Sequence, residues 1–279
     1  MDIAVLVKGV PDFSEGSVEF HEDNTLDRGS TETVLNPNDH FALECARELK
    51  VKHGATIHVV TMGPPNYKEV LHEAAEFAGD EFYLLSDGKF AGADTWATAH
   101  ALHAGLNEIG DLDLVIAGFK TADGETGHTG PQTSLMLDWP IITHCVEVNV
   151  QPEAETIGAR RQLYGEAEHC EGPLPCFIVM DPDYEPSFHT ASQRLRLKDI
   201  LAEQAEIVEA EDFGEHVHTW GLEDLPVDEH VVGLRGSPTI VSGVDPIPQP
   251  PAERDAEEFG TSEEELREVA KLLVEKGGL

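Results

Sequence analysis

Four short apolar runs, spaced so that helical stretches fit between them, constrain this chain more than any other feature. Residues 3–7, 57–61, 82–85 and 114–117 are each too short for a helix and read as buried strands. Between the first two, Phe41, Ala42, Cys45, Ala46 and Leu49 make one helical face, and later Val70, Leu71, Ala74, Ala75 and Ala78 make another. Asp94 caps a third helix that carries Ala97, Ala101 and Ala104. Strands alternating with helices need right-handed crossovers, so the expected fold is α/β with a doubly wound, Rossmann-like parallel sheet. Ligands bind such sheets at the carboxyl ends of the strands. Residues 8–12, 62–66, 86–95 and 118–130 all fall at that edge and outline one cleft.

The longest of these loops follows the strand at 114–117. It has glycine at 118, 124, 127 and 130 and hydroxyls at Thr121, Thr126 and Thr129. Pro131 suits the first turn of a helix, where its missing N–H costs nothing. That helix is expected to carry Leu135, Met136 and Leu137 inward. A strand, a glycine loop and a helix start present free backbone N–H groups to a phosphate. The spacing is neither GxGxxG nor GxxxxGK[ST], so a plain structural turn stands beside the phosphate reading. Asp123 and Glu125 would repel a phosphate and fit better as partners of a ribose hydroxyl, a ring nitrogen or the loop's own amides.

The charge balance excludes one class of partner. Asp and Glu number 54 against 18 Lys and Arg, for a formal net charge of −36. Nucleic-acid binding needs clustered cations and is not expected. Periodic apolar segments argue for a folded protein with a carboxylate-covered surface, as in a salt-adapted cytoplasm, where at about 1 M salt repulsion is screened within ~3 Å. The sequence has no apolar run of membrane-spanning length and no evident signal peptide, so a cytoplasmic protein is expected. Cys45, Cys145, Cys170 and Cys176 lack CxxC spacing and read as reduced thiols. None of the 14 histidines stands in HxxxH or HExxH, though His216 and His218 could share a strand face. Ser237 lies in GSP, outside any GxSxG. With no nucleophile–base set, redox chemistry would belong to a bound cofactor.

The remaining segments complete the expected organisation. Asn36, Pro37, Asn38 and Asp39 read as a helix start, with Asn36 as N-cap and Pro37 at the first helical position. Residues 13–35 read as polar loop with a small hairpin. Residues 145–150, 157–163 and 176–180 read as an antiparallel extension spanning about 141–180. Arg194, Arg196 and Lys198 form the one basic cluster, either a phosphate or partner contact or a set of cations paired with nearby carboxylates. Residues 1–212 would form the nucleotide-binding domain. Residues 213–279, rich in Pro, Gly and acids, would form an arm ending in an amphipathic helix over 262–276 that packs on a partner subunit.

DGETGHTGP, preceded by LVIAG and followed by a helix ending in DWP, resembles the nucleotide loop of the electron transfer flavoprotein beta subunit. IAVLVKGVPD, LNPNDHFALECARELK, VVTMGPP, FAGADTWATA and GLRGSPT follow that family's order over nearly the whole chain. The resemblance implies an adenine nucleotide in a cleft of this subunit and a heterodimer with an alpha subunit holding a second flavin. It implies nucleotide contacts at Leu6, Asn36, Pro37, Asn38, Asp39 and Met62. It adds Gly118, Phe119, Lys120, Thr121, Ala122, Asp123, Gly124, Glu125, Thr126, Gly127, His128 and Thr129. The strand-edge argument adds Asp94 and Thr95. The family has AMP-holding and FAD-holding members. The small residues Gly124, Gly127 and Gly130 with Pro131 resemble the FAD-holding type, so FAD is expected, with AMP as the alternative. That type implies electron bifurcation from a nicotinamide donor. Ala191 stands where the family places a docking leucine, which favours a quinone oxidoreductase over acyl-CoA dehydrogenases as partner. A rival reading is a nucleotide-binding stress or sensor module, homodimeric and colourless.

Overall fold

β1 (Asp2–Leu6) is the strand from which the sheet grows in both directions. It pairs in parallel with β4 (Thr56–Met62) on one side and β6 (Leu114–Ala117) on the other. In the computed structural model, residues 1–12, 33–210, 212–240 and 262–275 are described. Contacts divide the chain into two units, Met1–Ser242 and Gly243–Leu279. The first contains a nine-stranded sheet of order β11-β5-β4-β1-β6-β10-β7-β8-β9, all defined below. Ile3, Ala4 and Val5 are fully buried, as a strand covered on both faces requires.

The chain leaves β1 through a short antiparallel pair, β2 (Gly9–Pro11) with β3 (Thr33–Leu35). Most of the expected small hairpin, residues 13–32, lies outside the described residues. Helix α1 (Asp39–His53) leads to β4, α2 (Lys68–Ala75) leads to β5 (Glu81–Leu85), and α3 (Thr95–Ile109) returns the chain to β6. α4 (Thr129–Leu137) and three further strands lead on to β10 (Cys176–Met180), the next parallel strand. Side chains alternate along β1. Ile3 and Val5 join the core under α1 and α2, while Ala4 and Leu6 join the core under α3. The winding reverses between β1 and β6, which makes their carboxyl ends the switch point of the sheet.

Several expectations need correction. Residues 176–180 are not antiparallel: β10 pairs in parallel with β6 and with β7 (Ile141–Gln151). The antiparallel part is β7, β8 (Thr156–Leu163) and β9 (Glu166–Pro173). β9 reads as polar turn in the sequence because both its faces are largely exposed, which removes the alternation that marks a half-buried strand. The segment from Phe213 does not begin as a free arm. β11 (Val217–Trp220) pairs in parallel with β5, and Leu222, Leu225 and Val232 are buried in the core that Tyr83 and Leu85 share. Its apolar residues lie too far apart to announce a strand by pattern. The short helix α6 (Gly233–Gly236) also belongs to this unit. In the second unit α7 (Glu263–Glu275) falls where a helix is expected, with Leu266 and Val274 exposed.

Candidate functional site

At the switch point the loop after β6 is tied to the start of α1 by asparagine side chains. Asn36 does not cap α1, which begins at Asp39 with Asn38 before it. Instead Asn36 is fully buried between the two segments. Its Nδ2 donates to Asp39 Oδ1 (2.9 Å) and to the Lys120 carbonyl (3.0 Å), and its Oδ1 accepts the Ala122 N–H (3.0 Å). Asn38 Nδ2 donates to the same Lys120 carbonyl at 2.9 Å. A buried amide needs several partners, and here the loop backbone supplies them. Pro37 is exposed on the turn between the two.

Gly118 is where this packing is tightest. A Cβ there would lie 2.3 Å from Asp39 Oδ1 and 2.6 Å from the Asn38 carbonyl oxygen, so only glycine lets the loop pass. Asp39 accepts from Asn36 and, at 2.8 Å, from the Lys8 N–H. Burial pushes its carboxyl up to about 7, against the opposing pull of those hydrogen bonds and of Lys8. Lys8 Nζ donates to Asp123 at 2.6 and 2.8 Å, closing the loop over β1. Burial works against the Asp123 charge, yet Lys8 and the nearby hydrogen bonds hold it below the usual carboxylate range. Lys120 pairs with Glu125 at 3.1 Å. The acidic residues of the loop are therefore engaged by Lys8, by Lys120 and by the loop's own amides.

From Thr126 to Gly130 the loop turns into α4. Among the described residues, the backbone N–H groups of Thr126, Gly127, Thr129 and Gly130 carry no hydrogen bond, while that of His128 reaches Thr126 Oγ1 at 3.4 Å. Gly127 has φ +64°, which a β-branched side chain would adopt only under strain. Free N–H groups before a helix start form a cradle for an anion, and the helix dipole adds to it. The residues present thus fit a nucleotide phosphate. Leu6 ends β1 and is buried, and Met62 ends β4, half-buried. Thr121 and Ala122 lie half-buried along the loop.

Asp94 and Thr95 follow β5, three strands from β6. The Asp94 carboxylate is already taken up. Oδ1 caps α3 through the Trp96 and Ala97 N–H groups, each 3.0 Å away. Oδ2 accepts from the Thr239 N–H (3.0 Å) and hydroxyl (2.6 Å). Burial raises this carboxyl less than these bonds lower it. Ser237 Oγ accepts the Asp94 N–H at 2.8 Å, so GLRGSPT docks on the start of α3. Sequence reasoning missed that link, and it missed His144. The His144 ring lies 4.9 Å from the Phe119 ring and its Nδ1 3.1 Å from Asp181 Oδ2. No spacing signal links residues this far apart in the chain.

Among the described residues no cluster of three or more His, Cys, Asp or Glu side chains could hold a metal. His216 faces Asp212 (3.3 Å) and His218 faces Glu81 (3.1 Å). None of Arg194, Arg196 and Lys198 on α5 (Ala191–Val208) is within ion-pair distance of a carboxylate among the described residues. Arg194 instead donates to the carbonyls of Phe188 and His189. Among the described residues no helix is long and apolar enough to cross a membrane.

Residues 23–212 match the electron transfer flavoprotein domain family. The chain is 35% identical to Protein FixA of Sinorhizobium fredii, over 98% of this chain and 92% of that protein. It is 33% identical to the caffeyl-CoA reductase-Etf complex subunit CarD of Acetobacterium woodii, over 99% and 97%. It is 34% identical to the electron transfer flavoprotein subunit beta of Clostridium acetobutylicum, over 86% of each.

Proposed function

Because the chain belongs to the electron transfer flavoprotein family and so carries an electron-transfer role within a complex, we propose that it is the beta-type subunit of a heterodimer and holds FAD at the switch point. The observation that carries this reading is the cradle of four free N–H groups from Thr126 to Gly130, set at the one place where the sheet reverses its winding. Those groups bind the phosphates. Gly118 and Gly127 let the backbone approach, and Asn36 with Asn38 fixes the loop's distance from α1. Lys8 neutralises Asp123, so the loop's acids do not repel the anion. Phe119, braced by His144, walls the loop on the side of β7.

Bound FAD supplies the redox chemistry; the four cysteines are free thiols, with Cys45, Cys145 and Cys176 buried and Cys170 half-buried. The lack of side chains at Gly124, Gly127 and Gly130 resembles the FAD-holding type, which favours FAD over AMP. The resemblance to the FAD-holding type carries the further reading of bifurcation from a nicotinamide donor, and one relative is named as a subunit of a caffeyl-CoA reductase-Etf complex. The remaining partner is a quinone oxidoreductase or dehydrogenase.

Co-expression with candidate alpha subunits tests the reading. A yellow heterodimer with flavin absorbance is the expected product. A colourless homodimer would replace the proposal with a nucleotide sensor.

A further inference from the structure

β7 is irregular where it passes the switch point, and the irregularity centres on His144. Between Ile142, which pairs with Ile178, and Cys145, which pairs with Met180, β7 carries one residue more than β10. Its ladder with β8 slips again between Cys145 and Glu147. His144 takes the left-handed backbone, φ +59°, which a residue with a Cβ rarely adopts. Bulges re-aim side chains and gather beside ligand sites. A strained residue persists where its surroundings hold it, and such residues gather there too.

What holds His144 is the carboxyl edge of the sheet. Ala117 pairs with Val179, so the chain leaves β6 and β10 side by side. Asp181 follows β10 directly. Its N–H donates to the Cys145 carbonyl at 3.0 Å, and its Oδ1 accepts the Asp183 N–H at 3.0 Å. Its Oδ2 faces His144 Nδ1 at 3.1 Å, with both side chains largely buried. A carboxylate only accepts, so Nδ1 carries the proton. The imidazole fixed in this way lies 4.9 Å from the Phe119 ring, tilted by 50°. Phe119 in turn touches the cradle: a Cβ on Gly127 would lie 3.4 Å from the Phe119 carbonyl oxygen. Asn36, Asn38 and Lys8 tie the loop to α1 and β1. His144 meets it from the other side, two strands away.

We propose that His144 is a positioning residue for the nucleotide cradle: seated on Asp181, it holds the Phe119 ring, and with it the peptide against which Gly127 turns. This rests on nucleotide binding at the cradle, proposed above, and adds a residue that sets the cradle's shape. Glycine gives this loop a freedom that binding has to remove, and a fixed Phe119 removes part of it beforehand. The strain at His144 is the cost of aiming a ring at Phe119 from a strand that would otherwise point it along the ladder.

Calorimetric titration of the full chain, freed of nucleotide, with AMP tests this, because AMP is the moiety that both candidate nucleotides contain. The reading above requires the wild type to bind, and its failure to bind overturns that reading together with this one. His144→Gly accepts the left-handed backbone without strain and lacks the ring. His144→Asn also accepts that backbone and can still donate to Asp181. Each should bind AMP about fivefold more weakly, with the circular dichroism spectrum of the wild type. Phe119→Ala should lose as much, and adding His144→Gly to it should lose nothing further, because both act through one contact. Free imidazole should restore AMP binding to His144→Gly, as a role confined to the backbone would not allow. Wild-type affinity in both His144 variants, losses that add in the double variant, or a His144→Gly deficit that imidazole leaves unchanged overturns the inference, while nucleotide binding at the cradle stands.

Discussion

Helices α1 and α2 on one face of the sheet are laced with charge, while α3 and α4 on the other are nearly bare of it. On α1, Arg47 pairs with Glu44, Lys52 with Glu48, and Lys50 with Asp80. On α3 and α4 no salt bridge occurs among the described residues. The cores beneath are alike: Leu43, Leu71 and Ile57 on the first face, and Leu85, Ala101 and Val115 on the second, all fully buried. The sheet therefore asks the same of both faces on the inside. What differs is the outer surface: α1 carries paired charges, while α3 has a single charged residue and α4 none.

The largest effect should come from the edge that both faces share. Ending the chain at residue 212 removes β11, which covers β5 and places Val217 in the first core and Trp220 against the second. Such a chain should lose cooperative unfolding in a urea titration. Ending it at residue 242 should preserve the transition, since contacts gather residues 1–242 into one unit. Paired truncations then sharpen the claim that the cores are equivalent. Leu43→Ala and Leu85→Ala should each cost about 2–5 kcal/mol in denaturant unfolding. A large inequality between them would mean that the faces differ in their interiors too.

Asp39 sits where the faces meet, and its effect depends on pH. Its folded-state pKa of about 7 lies above the ordinary 3.8, so the folded state holds this proton more tightly. The stability it contributes is full below pH ~4 and is lost as pH rises through ~7, by a few kcal/mol at most. The difference in unfolding free energy between wild type and Asp39→Asn should change over that window and be flat above it. Equal pH profiles for the two proteins would remove Asp39 from the account. The smallest expected effect is at the loop's hydroxyl. Thr126→Val should weaken nucleotide binding by about 1 kcal/mol, read by calorimetry, through one lost hydrogen bond.

The parallel strands and α1–α3 were legible because burial on both faces leaves dense apolar runs and one-sided helices, as at residues 114–117 and 41–49. The loop at 118–130 was legible from its glycines and following helix. β9 and β11 were not, because exposure at a sheet edge erases alternation. Asn36 looked like a cap because the local pattern allows it. Its true partners, Lys120 and Ala122, lie more than eighty residues on, and only the fold brings them together. The same holds for Lys8 with Asp123 and Asp94 with Thr239. Leu135 differs for another reason: a leucine in a short helix reads as core, but Thr133 and Ser134 take the buried positions of α4 and leave Leu135 exposed.

We propose that the cradle from Thr126 to Gly130 holds a complete FAD beside a second flavin in the partner subunit. Denaturing the purified heterodimer and counting the released nucleotides by chromatography tests it directly. The expected result is two FAD and no AMP per heterodimer. One FAD with one AMP would contradict it and leave a carrier with a single flavin.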